Sequence, residues 1–274
     1  METTVASFVG NLNLVSNEED ILAEYLKKHN LEQTNTMSAK VDAKKSIYTK
    51  YVKRALDLLV AVPAFIVTLP FNILFGICTF LDVGRPIFYK QTRVGLNGKP
   101  FVIVKFRNMN NNTDADGRLL TPKERVTKFG KIMRKLSLDE LLNFWSVIKG
   151  DMSIIGPRPL PVVFSERMSE RHKQRVLVRP GLECPRVLKG DPEQCQYQNQ
   201  FENDVWYVEN VSFMTDVRMV FSLVKMVFNL SRREKSAEGA GYFAGYDHHG
   251  VATTINRFKR MYPDIWKQIR DERI

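Results

Sequence analysis

Asp139 and Glu140 are adjacent carboxylates set between a run of cations and an Ile-Gly-Pro-Arg-Pro turn, in the stretch RKLSLDELLNFWSVIKGDMSIIGPRPLP from Arg134 to Pro161. The preceding segment carries Lys123, Arg125, Lys128, Lys131, Arg134 and Lys135 against the single acid Glu124. Two carboxylates facing that many cations suit a hard divalent ion and the phosphates it neutralises. A carboxylate in such company is expected to have a lowered pKa and to be ionised at neutral pH. The same residues also have a purely structural reading. Ser137 followed by Glu140 is a capping box with Ser137 as N-cap, and acids in a first turn suit the helix dipole. Spacing alone leaves both readings open.

These groups need elements to aim them. Leu138, Leu141, Leu142, Trp145 and Ile148 recur three and four apart, so the stretch reads as an amphipathic helix with one buried face. Adjacent residues on a helix point about 100° apart, so both carboxylates can meet one ligand only near a helix start beside a cleft. The Gly-Pro-Arg-Pro turn holds Arg158 rigidly, where a planar guanidinium can grip phosphate. Upstream, PIFYKQTRVG and KPFVIVKFRNM are joined by Asn97-Gly98, a strong hairpin signal. On the second strand Ile103, Lys105 and Arg107 share a face opposite Val102, Val104 and Phe106, so one face is expected to pack and the other to present cations. The polar loop NNNTDADGR leads to Thr121-Pro122, expected to start the basic helix.

Between Asp57 and Asp82 lie 24 uncharged residues, enough to span a bilayer. Pro70 divides them into runs of 12 and 11, and Pro63 adds a second break point. Each run as a helix reaches roughly 18 Å, little more than half the hydrocarbon core of about 30 Å. Lys53 and Arg54 precede the segment, and Arg85, Lys90 and Arg93 follow it, which favours keeping both ends on the cytoplasmic side. A helix broken at Pro70 that enters and leaves by one face satisfies these features; a spanning helix is the alternative.

The net charge of +11, from 41 basic and 30 acidic residues, points to phosphate-bearing partners such as nucleotide, anionic lipid or nucleic acid. Cys78, Cys184 and Cys195 lack metal spacing, and their odd number argues against a disulfide framework, which suits a reducing compartment. The N-terminus lacks the pattern of a signal peptide. Glu18, Glu19 and Asp20, then Ile21, Leu22, Tyr25 and Leu26, then Lys27 and Lys28 read as a short amphipathic helix, within what is expected to be a flexible arm. Lys40 to Arg54 is a basic cluster suited to anionic lipid. DVRMVFSLVKMVFNL, Asp216 to Leu230, with Arg232, Arg233 and Lys235 beyond it, is expected to lie at a membrane interface. The segment from Ser236, with Gly239, Gly241, Gly245 and the pair His248-His249, reads as loop; adjacent histidines point apart and are poor joint ligands.

KFGKIMRKLSLDELLNFWSVIKGDMSIIGPRPLP closely resembles the bacterial sugar transferases that load a sugar phosphate onto polyprenyl phosphate, the monotopic phosphoglycosyl transferases. KRALDLLVAV, FYKQTRVGLNGKPFVIVKFRNM, RVLVRPGL and DVWYVENVSFMTDVRMV resemble other blocks of that family in the same order, covering roughly Tyr51 to Leu230. The resemblance implies an α+β, mostly helical fold: a monotopic membrane protein with a Pro-kinked re-entrant helix, a β-hairpin and interfacial amphipathic helices. It divides the chain into an N-terminal polar extension (1–50), the re-entrant helix (51–82), a cytoplasmic catalytic domain (83–235) and a C-terminal tail (236–274). The family's Ser-Pro break corresponds here to Leu69-Pro70, with Thr68 adjacent.

The activity implied is transfer of a sugar 1-phosphate from a nucleotide diphosphate sugar, expected to be a UDP-sugar, to undecaprenyl or another polyprenyl phosphate. It starts surface polysaccharide or glycoconjugate synthesis. In the family an Asp attacks the sugar-bearing phosphorus, nucleoside monophosphate leaves, and the lipid phosphate takes the sugar phosphate from the aspartyl intermediate. Carried over, Asp139 is the nucleophile, Glu140 holds Mg²⁺, and Lys105, Arg107, Arg134 and Arg158 bind phosphate. The location implied is the cytoplasmic face of a bacterial inner membrane, with membrane lipid as a partner, no nucleic acid, and homo-oligomerisation left open. After Pro180-Gly181 the chain reads LECPRVLKGDP where the family has a Gly-Trp-Ala-Gln-Val-Asn-Gly-Arg-like loop. The loop arginine falls at Asp191, and Arg186 and Lys189 are the candidates to replace it. The altered loop keeps a second reading in play, a catalytically inactive membrane scaffold. A nucleic-acid binder fits the charge but leaves the acidic dyad without a role.

Overall fold

The computed structural model describes residues 17–191, 193–228 and 242–271. Helix α1 (Asn17–His29) carries its acids in the first turn and Lys27, Lys28 and His29 in the last, as the dipole favours. Its Leu22 and Leu26, one turn apart, are fully buried, and the short α2 (Leu31–Thr36) follows. After a π-helical turn at Tyr48–Val52 comes α3 (Lys53–Val83), 31 residues and about 46 Å long. It stays helical through both Pro63 and Pro70. It is long and apolar enough to cross a membrane, and Leu59, Ile66, Val67, Ile73 and Leu81 along it are exposed.

Both ends of α3 are fastened to the same body. At the start, Lys53 pairs with Asp216 at 2.7 Å, and Arg54 donates to the carbonyls of Val147 (2.6 Å) and Ile148 (2.9 Å). Asp57 accepts from the Ser153 hydroxyl and the Ile154 amide. At the finish, Thr127 donates to Asp82 and Arg107 donates to the carbonyls of Val83 and Arg85. Between them, Phe65 meets Trp145 with ring centroids 5.6 Å apart. Gly76 leaves room for Phe106, whose ring would lie 3.6 Å from an added Cβ.

Strands β1 (Phe88–Val94) and β2 (Pro100–Phe106) form the expected antiparallel hairpin, in register from Phe88↔Phe106 to Val94↔Pro100. Asn97 and Gly98 both take positive φ in the turn. The cationic face of β2 is not the solvent face. Phe101 and Ile103 on it pack with Val147 and Met152, so Lys105 points into the protein, while Val102 on the opposite face is exposed. The basic helix also departs from expectation. A short helix at Pro122–Arg125 ends before a second begins, α4 (Lys128–Leu136), N-capped by Thr127 accepting from the Gly130 amide.

Helix α5 (Asn143–Lys149) ends at Gly150, whose φ of 97° is left-handed. Strands β3 (Ser153–Ile155) and β4 (Gly181–Glu183) pair in parallel. Gly156 and Gly181 face each other there: a Cβ on Gly156 would lie 2.5 Å from the Arg179 carbonyl, and one on Gly181 would lie 2.1 Å from the Gly156 amide. Helix α6 (Gln196–Asn210) is central to the core, burying Phe201, Val205, Tyr207 and Val208. Helix α7 (Phe213–Phe228) buries Met219 but exposes Phe213, Met214, Phe221 and Val224. Its Asp216 also accepts from Tyr48 and Tyr207, which locks α7 to α6 and to the start of α3.

The segment after residue 241, expected to be loop, is folded. Strands β5 (Phe243–Tyr246) and β6 (Ala252–Thr254) pair, and α8 (Ile255–Met261) and α9 (Pro263–Asp271) follow. They close over α1, with Leu22, Leu26, Ala244, Ile255, Phe258, Trp266 and Ile269 forming one core. Residues 17–29 are therefore not a flexible arm. Burying side chains of this size contributes about 1.5–3 kcal/mol each, enough to order both segments. The rings of His248 and His249 lie 4.0 Å apart, tilted by 44°. Arg232, Arg233, Lys235, Gly239 and Gly241 lie outside the described residues.

Candidate active site

The site begins where α4 stops. Ser137 takes a left-handed conformation (φ 55°, ψ 28°), and Leu138–Glu140 form a single 3-10 turn. The capping box does not form: Ser137 makes no side-chain capping bond, because an N-cap residue needs extended backbone. The expected buried face of the following helix is only partly met. Trp145 is 50 % exposed beside Phe65, whereas Asn143, Ser146 and Val147 are buried. Leu138, Leu141, Leu142 and Ile148 are half-buried, Ile148 against the core that holds Val147, and Asn143 lines the site.

The two carboxylates have different surroundings. Asp139, only 7 % exposed, accepts from the Asn108 amide at 3.0 Å. Asn108 in turn accepts from Arg134 Nε at 3.0 Å. Glu140 accepts from Lys105 Nζ at 2.6 Å and from Arg158, whose guanidinium also reaches Glu183. Burial and the neighbouring Glu140 charge raise the Asp139 pKa above the ordinary carboxylate value, with Lys105 and Arg134 opposing only in part. The expectation of a lowered value is thus wrong for Asp139. The cations nearest the dyad pair with Glu140, and a carboxylate taken out of water resists ionisation. For Glu140 burial alone would also raise the value, but Arg158 and Lys105 overcome it and hold the carboxyl low. Lys105 is itself lowered by burial, despite Glu140, because Arg158 and Arg93 stand nearby.

A small open pocket beside the dyad is lined by Arg93, Lys105, Glu140, Asn143 and Arg158, over a floor that includes Met152 and Leu182. Asp139 sits next to this pocket rather than in its lining. Of the candidate phosphate ligands, Lys105 and Arg158 are in the pocket, and Arg134 reaches Asp139 through Asn108. Arg107 is elsewhere, spent on the carbonyls that end α3. Arg186 and Lys189 are exposed and outside the pocket lining. The turn carrying Arg158 is pinned on two sides. Its carbonyl accepts from Arg175, which pairs with the fully buried Asp204, and Val94 donates to the Leu160 carbonyl.

Asn108, Arg93, Asn143 and Arg175 were not singled out by spacing. Asn108 and Arg93 lie inside the KFRNM and YKQTRVG blocks, but their partners are distant in sequence: Asp139 lies 31 residues from Asn108, and Pro159 lies 66 from Arg93.

Among the described residues, no group of three or more His, Cys, Asp and Glu could hold a metal by itself. Mg²⁺ is commonly held by one or two protein oxygens and completed by water and substrate phosphate. Glu140 and the buried Oδ1 of Asn143, which has no hydrogen-bond partner, line one pocket and fit that requirement.

Residues 48–230 match the family described as bacterial sugar transferase. The chain belongs to that family. It is 42 % identical over 147 residues to the uncharacterized sugar transferase EpsL of Bacillus subtilis, covering 54 % of this chain and 72 % of that one. It is 34 % identical over 186 residues to the UDP-N-acetylgalactosamine-undecaprenyl-phosphate N-acetylgalactosaminephosphotransferase of Aeromonas hydrophila, covering 65 % of this chain but 44 % of that one. It is 34 % identical over 193 residues to the exopolysaccharide production protein ExoY of Sinorhizobium fredii, covering 64 % and 84 %. The family match together with the long apolar α3 points to membrane association. As a bacterial sugar transferase, the chain extends the matched segment by α1 and α2 before it and by β5 to α9 after it.

Proposed function

We propose that this sugar transferase moves a sugar 1-phosphate from a nucleotide diphosphate sugar, a UDP-sugar by analogy with its relative's printed name, to undecaprenyl phosphate. The product begins an exopolysaccharide or related glycoconjugate, and the reaction passes through a covalent phosphosugar on Asp139. One observation carries this reading: two adjacent carboxylates in unlike surroundings, one screened and poised, the other bound into a cation-lined pocket. Asp139, kept apart from Lys105 and Arg158, retains its lone pairs for bond formation once ionised. Asn108 and Arg134 orient it. Lys105 and Arg158 stand where charge develops on phosphate oxygens, and they cost no reorganisation because Glu140 already holds them.

Glu140 and Asn143 would hold Mg²⁺, which supplies neutralisation of the diphosphate when bound. In the first displacement an Asp139 oxygen bonds to the sugar-bearing phosphorus, and the bond to the nucleoside monophosphate breaks, its electron pair leaving with that oxygen. In the second, an oxygen of the lipid phosphate bonds to the same phosphorus and the Asp139 carboxylate is released.

The acceptor calls for a site at a membrane surface, and α3 supports a re-entrant arrangement on the cytoplasmic face of the inner membrane. Its two ends are tied to one body, by Lys53, Arg54 and Asp57 at one end and Asp82 and Val83 at the other. The exposed apolar residues of α7, together with Ile132 and Leu136 among the lysines of α4, suit the interface layer. The test is brief incubation of purified protein with radiolabelled sugar nucleotide and no lipid. Label should remain on the Asp139 peptide and be discharged by undecaprenyl phosphate. Transfer without label on the protein would mean direct displacement in a ternary complex.

A further inference from the structure

Arg93 stands out among the cations of the pocket because no carboxylate answers it. Lys105 and Arg158 share Glu140, and Arg158 also has Glu183. Arg93 donates to the Pro159 carbonyl at 3.1 Å and to the Gln91 side chain at 2.6 Å, both neutral acceptors. Its Nε is buried with no hydrogen-bond partner, and it forms no ion pair among the described residues. Burial and the neighbouring Arg158 charge push its pKa down to about 10. A guanidinium rarely yields that much. Glu140 attracts it only from beyond contact, and a largely buried cation with no carboxylate in contact is costly unless a ligand brings one. Its place on the pocket wall says where that ligand sits.

We propose that Arg93, with Lys105 and Arg158 beside it, forms a single cradle for a phosphate monoester that is used twice per turnover, first by the departing nucleoside monophosphate and then by the incoming polyprenyl phosphate. The inference rests on the covalent reading above and deepens it. Phosphoryl transfer keeps the attacking and leaving oxygens roughly in line. In the first displacement the leaving oxygen therefore lies opposite Asp139. In the second the lipid phosphate must attack from opposite Asp139, in the place the nucleotide has vacated. The two groups share one chemistry, a phosphate on a carbon chain or ribose, and a wall of fixed cations beside Asp139 serves both. Arg93 suits the role because its charge is unspent before a ligand arrives, whereas the other two are already paired with Glu140. It is also firmly placed, since β1 carries it and the backbone of Arg93 bridges to Pro161.

The test reads binding rather than turnover. Full-length protein in nanodiscs is titrated with inorganic pyrophosphate, and the bound pyrophosphate is then challenged with undecaprenyl phosphate or, as a control, undecaprenol. In the native protein undecaprenyl phosphate should displace pyrophosphate and undecaprenol should not. Arg93→Gln should weaken both phosphate ligands by about tenfold or more, the size expected for a lost charge-assisted contact. Arg93→Lys, which keeps a charge and a donor for the Pro159 carbonyl, should fall between.

Pyrophosphate affinity unchanged in Arg93→Gln, or undecaprenyl phosphate that binds without displacing pyrophosphate, overturns the shared cradle. Equal loss in both variants together with lowered melting temperatures would give Arg93 a structural role and overturn it as well. Failure to label Asp139 while pyrophosphate affinity remains Arg93-dependent would remove the covalent route and overturn the double use with it, leaving Arg93 as a ligand of one phosphate only.

Discussion

Replacing Asn108 by Ala is the sharpest test of how the site readies its nucleophile. The Asn108 amide donates to Asp139 Oδ2 at 3.0 Å, and the acceptor is only 7 % exposed, so little water is at hand to replace the bond. A hydrogen bond to a charged group is worth about 1.5–3 kcal/mol. At 1.36 kcal/mol per pK unit, its loss should raise the Asp139 pKa by about 1–2 units. Burial and Glu140 already hold that value above normal, so the change moves an elevated pKa further upward. Attack needs the carboxylate, and a raised pKa means the carboxylate is lost at a higher pH on acidification. The acidic limb of the labelling rate should therefore shift to higher pH by that amount, with the plateau on the alkaline side largely kept. Below the limb the variant should be about 10–100-fold slower. The assay is single-turnover labelling with radiolabelled sugar nucleotide over a series of pH values, with a melting curve for each protein. An acidic limb that stays in place while the plateau falls would show that Asn108 only positions Asp139 or supports the fold.

Other consequences are as direct. Asp139→Asn, nearly isosteric, should leave the melting temperature within a few degrees and abolish both labelling and transfer; a tenth of native turnover would remove Asp139 as nucleophile. Glu140→Gln should flatten the response of the rate to Mg²⁺ and tighten metal-free pyrophosphate binding, because Lys105 and Arg158 lose their counter-charge. An unchanged metal response would take Glu140 out of the metal site. Cysteines at Lys45 and Arg85, in a background lacking Cys78, Cys184 and Cys195, should both be protected from an impermeant thiol reagent in intact cells and labelled once the membrane is opened. Labelling at Lys45 alone would mean that α3 spans, and Pro70→Leu should push the protein toward that state. Gly156→Ala should destabilise by about 1–3 kcal/mol, because the new methyl meets the Arg179 carbonyl at 2.5 Å, a backbone atom with nowhere to go; an unchanged melting curve would count against the close approach.

Local signals were read well where local physics decides. Asn97-Gly98 requires a tight turn and sits in one, and the acids and lysines of α1 bracket a real helix. The Asp139-Glu140 dyad, Lys105 and Arg158 come together as the ordered blocks implied. Signals failed where a partner distant in the chain overrode them. Ser137 and Glu140 have capping-box spacing, but the demand to turn from α4 toward Lys105 and Arg158 puts Ser137 in a left-handed conformation. Arg107 has the strand phase of Lys105, yet it lies beside the end of α3 and is taken by carbonyls there. The spacing of the stripe containing Trp145 predicts a buried face, but Trp145 itself lies exposed beside Phe65 of α3, next to the apolar outer surface. Asn108 carries no signal of its own, and Arg93 reads only as a flanking cation, because their place in the site is relational. An amide between an arginine and an aspartate is a site residue, whereas the same amide in a string of letters is a polar residue after a strand.

The packing of α1 against the segment beginning at β5 also has a consequence in time. Glu18 pairs with Lys259 across 241 residues, and Asn30 donates to the Tyr246 carbonyl across 216. At about 5–20 residues per second, a ribosome needs on the order of 10–50 s to supply the second half of that pair after the first. For that interval Leu22 and Leu26 have no covering surface, and the strand pair that meets the catalytic core through Phe243 and Tyr246 does not exist. The nascent protein must therefore carry the uncovered apolar face of an otherwise charged helix, in water or against a chaperone or bilayer, while the rest of the chain emerges. Closure also ties the segment beginning at β5 to the start of α6, because Arg257 donates to the carbonyl of Glu193, just before that helix, and Gln198 within it accepts from the Ala252 amide. Until the segment from β5 onward is made, the contacts of Glu193 and Gln198 with Arg257 and Ala252 cannot form.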